Sequence, residues 1–269
     1  MQVIGLCRFS YPALGGLQRE HETIEQRKAF LYDEARLKHR LRLFRAFNLP
    51  SILAQTDTDF QYLILVGDDL PVRARNQLND LTKWADHIKI LPYPPLPHRQ
   101  IAAQVILDHL DAAHAHSIQC RLDDDDAVHR TFIERLKTTA AVGVIDYANK
   151  PRFALDYARV YAIRPSAEGL QAEELVRNLW TPALAAVFKT SANNTVMNFG
   201  HHKLDQHMPM ISDWDTVMFL RSFHDENDSA SARELDRFKF TPLTAQQQHH
   251  FKTDFNFDID LIKQLWTDA

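Results

Sequence analysis

Short, almost wholly apolar runs alternate with segments of helical period along the first half of the chain. Residues 3–9 form one such run and end in the turn-prone Ser10, Pro12, Gly15 and Gly16, which predicts a buried first strand. A helical pattern over 33–47 follows and meets Pro50, where it should stop or kink. Residues 61–67 predict a second strand that ends in Asp68-Asp69. A helix over 72–85 leads to a third strand at 87–91, closed by Pro92-Tyr93-Pro94-Pro95. Residues 99–114 place Ala102, Val105, Ile106, His109, Leu110 and Ala113 on one helical face. Residues 118–122 then alternate as a strand and run into Asp123-Asp124-Asp125-Asp126. This β-α-β-α-β-α-β order predicts a parallel sheet with crossover helices, and nearly all-apolar strands suit a sheet covered on both faces.

The second half is more loosely patterned. Strands are predicted at 142–145, 159–163 and 184–188, in a mixed or antiparallel arrangement. From about residue 231 the chain is polar and Gln/His-rich, then carries Phe251, Phe255 and Phe257, which predicts an extended tail docking on the body. The expected organisation is one domain over 1–230, divided near residue 130, with 231–269 as a C-terminal extension packed on it.

Composition narrows the class. With 269 residues, 45% apolar and 25% charged, the chain can bury a large core, and its composition argues against long disorder. No stretch approaches the roughly 20 apolar residues of a membrane span, and the first residues lack a basic segment followed by an apolar one. A cytoplasmic protein is expected, with room for peripheral membrane contact. Cys7 and Cys120 lie in apolar runs without CxxC spacing and read as buried thiols. A net charge of −4 without a basic, aromatic-rich stripe argues against nucleic acid as a partner. The basic run over 36–42 reads as the solvated face of a helix, because Leu37, Leu41 and Phe44 keep helical spacing.

The four aspartates need an explanation. Close carboxylates repel by roughly 4 kcal/mol per pair at an effective dielectric near 20. Solvent would offset this on a surface turn. At the carboxyl end of a strand in a parallel sheet, where ligands bind, a divalent cation is the better offset, since magnesium and manganese take one or two carboxylates together with waters and substrate phosphates. Strand alternation puts Asp123 and Asp125 on one side. Asp125 then reads as a metal ligand, Asp123 or Asp124 as a ribose or water contact, and Asp126 as spare. Asp123 is kept as a second metal ligand. In Phe223-His224-Asp225-Glu226-Asn227 the imidazole of His224 would complete the shell. The metal would stabilise charge developing on a leaving diphosphate.

Arg8-Phe9-Ser10, the segment 55–60 leading into 62–65, the run Leu122 to His129, and the late His224 and Asn227 together resemble the bacterial rhamnosyltransferase family, within glycosyltransferases of the GT-A fold. The resemblance extends from residue 3 to about 230. It implies a GT-A-like α/β fold: a Rossmann-like nucleotide-sugar half over 1–130 with a mainly parallel sheet, and a mixed acceptor half over 131–230. It also implies that Arg8, Phe9 and Ser10 line the nucleotide pocket, that Asp68 or Asp69 contacts the base, and that Arg99 reaches base or phosphate. Asp123 and Asp125 match the outer residues of the Asp-x-Asp (DXD) motif, and His224 matches a late metal-binding histidine, although Asp225 replaces the usual small residue after it.

Asp213 and Asp215 are the candidate bases for deprotonating an acceptor hydroxyl. Their other reading is the capping of a helix over 215–223. His201, His202, Asp205 and His207 could bind acceptor or a second metal, or sit in a polar surface loop. Trp180 and Trp214 could stack on sugars or fill the core.

The expected activity is metal-dependent transfer of a sugar such as rhamnose from a nucleotide-diphosphate sugar to a bacterial surface glycan or glycolipid, a step in polysaccharide biosynthesis. The competing readings are a metal-dependent phosphohydrolase or nucleotidyltransferase, and a non-catalytic cation- or glycan-binding protein.

Overall fold

The structure is a computed structural model that describes residues 1–15, 21–224 and 237–267. The four predicted early strands form: β1 (Gln2–Arg8), β2 (Gln61–Gly67), β3 (Ile88–Tyr93) and β4 (His116–Arg121). They pair in parallel in the order β3-β2-β1-β4, with Cys7 opposite Ile64 and Leu6 opposite Arg121. Alternation along the strands sends their side chains into two cores. Cys7, Ile64, Ile118, Cys120 and Leu122 face one core, beside helices α2 (Glu34–Leu43), α4 (Val72–Thr82) and α6 (Phe132–Asp146). Ile4, Leu6, Leu63 and Leu65 face the other, closed by Ile101, Ala102, Val105 and Ile106 of α5 (His98–Asp108). Both faces are therefore covered, as the apolar strands predict. Cys7 and Cys120 are buried free thiols.

The second half continues the same sheet with mixed pairing. Strand β5 (Ala127–Val128) pairs with β9 (Met210–Ser222). The long β6 (Arg152–Ser166) is antiparallel to β7 (Gly169–Val176) and to β8 (Ala185–Lys189), and parallel to β9. Because β8 also pairs antiparallel with β4, the second half is fused to the first through the strand that carries the aspartates. A short β10 (Thr241–Pro242) extends β7. A parallel half followed by a mixed half is the GT-A-like architecture that the resemblance implies.

Four expectations change. Pro50 does not end its helix: α2 passes through a π-turn at Phe44–Asn48 into α3 (Leu49–Leu53), and the Leu49 N–H reaches the Phe44 carbonyl. The wider turn takes up the register at the point where Pro50 has no N–H to give. Residues 142–145 belong to α6 rather than to a strand. Phe132, Ile133, Leu136, Ala140 and Gly143 form its buried face, with helical spacing. Residues 215–222 continue β9, so the helix expected over 215–223 is absent. The C-terminal region is not an extended tail: helices Ala245–Asp254 and Ile259–Thr267 dock on the body, with Phe251, Phe255, Phe257 and Ile262 buried. No helix among the described residues is long and apolar enough to cross a membrane.

Candidate active site

Parallel pairing of β1 with β4 brings their carboxyl ends side by side at a cavity of about 850 Å³. This is within the size range of small-molecule sites. Arg8 and Ser10 from the end of β1 line it, as do all four aspartates after β4. The second half contributes Trp180, His201, His202, Arg221 and Phe223 among others.

The aspartates are held individually. Asp123 is 3.4 Å from the guanidinium of Arg8, and its backbone carbonyl accepts the side-chain amide of Asn48 at 2.9 Å. Asn48 sits on the π-turn, so the irregular turn fixes the first aspartate. Asp124, 1% exposed, accepts two guanidinium hydrogen bonds from Arg40, one of them at 3.0 Å from Nε. Arg40 also donates to Asp125 Oδ2 at 3.2 Å, and the same oxygen lies 2.9 Å from His224 Nε2. Burial works to raise the pKa of Asp125, but Arg40 and the His224 hydrogen bond outweigh it and hold the carboxyl well below the usual range. Burial also opposes the lowering of Asp123, which is depressed by Arg8 and then Arg121. Asp126 goes the other way. Burial and the neighbouring Asp125 push its carboxyl well above the usual range, and it accepts the Ser222 N–H at 3.0 Å. Asp126 is thus a structural acceptor tying the motif to β9, not a spare residue.

His224 is oriented from behind. Its Nδ1 lies 3.3 Å from His39 Nε2, and the two rings meet edge to face, which leaves Nε2 facing Asp125. Burial lowers the pKa of His39 to about 3, so that ring is neutral. Histidines that ligate metals are commonly oriented by a hydrogen bond at the other ring nitrogen, and for His224 that partner is His39.

A divalent cation is compatible with these donors. One carboxylate and one imidazole converge from the segments that follow β4 and β9, and magnesium or manganese needs little more from the protein when waters and phosphates complete the shell. Among the described residues no cluster of three or more acidic, histidine or cysteine side chains forms a metal cage, so those residues supply at most this pair.

Other predicted residues are placed elsewhere. Phe9 is fully buried against Phe44 and packs the core instead of lining the pocket. Asp68 and Asp69 are exposed; Asp69 is held by Lys28 at 2.6 Å and by the Tyr32 hydroxyl at 2.9 Å, and neither aspartate lines the cavity. Arg99 is also exposed, and its neighbour His98 turns inward to Arg8 instead, at 3.4 Å. Asp213 is paired with Arg135 of α6 at 2.6 Å, and Asp215 is exposed on β9; neither reaches the cavity. Trp214 is 54% exposed, whereas Trp180 lines the cavity with Arg221 stacked 4.7 Å from its ring. Asn227 lies outside the described residues.

The basic run contradicts its reading as a solvated face. Arg36 and Arg40 are buried and line the cavity. Their i, i+4 spacing was the available signal, since it puts both on one helical side next to Leu37 and Leu41.

No protein of curated function matches the chain. Among solved structures, S. aureus TarS 1-349 is 11% identical with a TM-score of 0.42, over 82% of this chain and 60% of that one. The mannosyltransferase PcManGT from Pyrobaculum calidifontis, in complex with GDP-Man and Mn2+, is 12% identical with a TM-score of 0.43, over 84% of this chain and 58% of that one. The chain thus spans about three fifths of the length of these proteins. The family described as putative rhamnosyl transferase matches residues 2–235, nearly the whole of both sheet halves. The chain therefore belongs to the putative rhamnosyl transferase family of glycosyltransferases.

Proposed function

We propose that this protein transfers a sugar, rhamnose in the first instance, from a nucleotide-diphosphate sugar to a glycan or glycolipid acceptor, with a divalent metal at Asp125 and His224. The observation that carries the reading is the meeting of these two side chains, 99 positions apart in sequence, at 2.9 Å beside the cavity. Asp123 would contact the ribose of the donor, and Arg8 and Ser10 would line the pocket for its nucleotide part. Asp125 and His224 would hold the cation, which when bound supplies Lewis-acid stabilisation of the leaving diphosphate. The chain's own residues do the positioning: Asn48 fixes Asp123, Arg40 fixes Asp124 and Asp125, and His39 aims His224. Trp180 offers an apolar ring face to a sugar. Asp213 and Asp215 have no place in this reading, because neither reaches the cavity.

The test is donor turnover. With manganese present, the protein should hydrolyse or transfer from one member of a panel of UDP-, GDP- and dTDP-sugars. Activity should fall at least 100-fold in EDTA, in Asp125→Ala and in His224→Ala. Unchanged turnover in either variant would remove the metal pair from the mechanism.

A further inference from the structure

Arg121 is the last residue of β4, two positions before Asp123. It lies on the polar side of the strand with Ser117 and Gln119, since Ile118, Cys120 and Leu122 face the core. Its side chain lines the cavity, yet among the described residues it makes no hydrogen bond or ion pair with any carboxylate. Its cationic neighbour Arg8 lines the same cavity, and its own bonds, to Asp123 and His98, are both long at 3.4 Å. Two guanidinium groups near one another, with Asp123 the nearby carboxylate, are short of one anion. His201, which also lines the cavity, is kept neutral by burial and by Arg121, so it adds no competing charge.

The position of the pair selects the anion. Arg121, at the end of the strand, and the aspartates of the turn that follows it line the cavity together with Arg8. If Asp123 takes the ribose and Asp125 the metal, as proposed above, the phosphates lie between them, next to Arg121 and Arg8. Guanidinium groups recognise phosphate oxygens through two parallel hydrogen bonds. We infer that Arg121 and Arg8 form a direct diphosphate-binding pair, which holds the donor's phosphates whether or not a metal is present. The metal is then required for turnover and not for donor capture. This inference rests on the reading of the cavity as a nucleotide-sugar site.

Calorimetric titration of the full chain with inorganic pyrophosphate, inorganic phosphate, UDP, GDP and dTDP, first in EDTA and then with manganese, tests it. The expected result is binding of pyrophosphate and of at least one nucleoside diphosphate in EDTA, with inorganic phosphate weaker because it spans only one guanidinium. Arg121→Met, which keeps the side-chain volume, should weaken pyrophosphate binding about 10- to 100-fold, the range for one charge-assisted contact. Arg121→Lys should lose less, because it retains the charge without the paired geometry, and it keeps the test open if the Met variant does not fold. Wild-type-like pyrophosphate binding in both variants would overturn the inference. Nucleoside diphosphate binding seen with manganese but absent in EDTA would also overturn it while leaving the functional reading intact. Absence of binding by every ligand under both conditions would remove the functional reading, and this inference with it.

Discussion

Arg40 converts four adjacent carboxylates from a liability into a rigid motif. It contacts both Asp124 and Asp125, and all three side chains are largely buried. Removing one partner of such a group leaves the others charged and dry, which costs about 3–5 kcal/mol. Arg40→Ala should therefore lower unfolding free energy by about that amount in a urea titration, whereas a loss below about 1 kcal/mol would show that other groups neutralise the aspartates. The residues visible in sequence and those hidden from it divide along this line. Asp123, Asp125 and His224 could be named as candidates from residue type and, for the aspartates, from their place after an apolar strand. Arg40, Asn48, His39 and Arg121 could not, because each is an ordinary residue until the fold sets it against a partner 75 to 185 positions away or, for Arg121, brings it to the cavity without a carboxylate hydrogen bond among the described residues. Asp213 and Asp215 show the reverse error. Their acidity and their place before His224 suggested a base, but the β9 register delivers Asp213 to Arg135.

Elements were legible where a hydrophobic period extended over several turns or a complete strand. All four parallel strands and their crossovers were recovered on that basis, with ends off by a few residues. The misread segment 142–145 is instructive: three β-branched residues around a glycine look like a strand when viewed alone, and only the longer spacing from Phe132 to Gly143 reveals the helix. That glycine has a packing reason. A Cβ at Gly143 would lie 2.3 Å from Phe153 Cε2, a ring buried on β6. Alanine normally stabilises a helix interior by about 1 kcal/mol over glycine. Here the clash reverses the sign, and Gly143→Ala is expected to destabilise the protein by about 1–3 kcal/mol through displacement of Phe153. A rise in thermal midpoint would show that α6 can move away from β6 without loss.

At the scale of the molecule, the C-terminal region is part of the body that supports the site. Phe251, Phe255, Phe257 and Ile262 are all essentially inaccessible, and they share one cluster with Leu43, Ala46 and Phe47 from α2 and the π-turn, Ala127 from β5, and Tyr161, Ile163 and Leu220 from β6 and β9. Backbone and side-chain bonds reinforce the contact: Arg130 N–H donates to the Asp254 carbonyl at 2.7 Å, and the Asn256 amide donates to the Pro50 carbonyl at 3.2 Å. Each such side chain stabilises by about 1.5–3 kcal/mol when buried. Four together are comparable to the whole net stability of a domain, about 5–15 kcal/mol. The sequence indicated docking through the phenylalanines but not its depth, because the polar residues between them mask the amphipathic pattern. The π-turn carries Asn48 on Asp123, and its neighbours Ala46 and Phe47 lie under these helices, so loss of the extension should reach the aspartates. A chain ending at residue 242 is expected to lack a cooperative thermal transition, and titration with manganese and nucleoside diphosphate should show no binding. Retention of a cooperative melt within about 5 °C of the full chain would instead make residues 243–269 a separable appendage and place the support of the site entirely within the sheet.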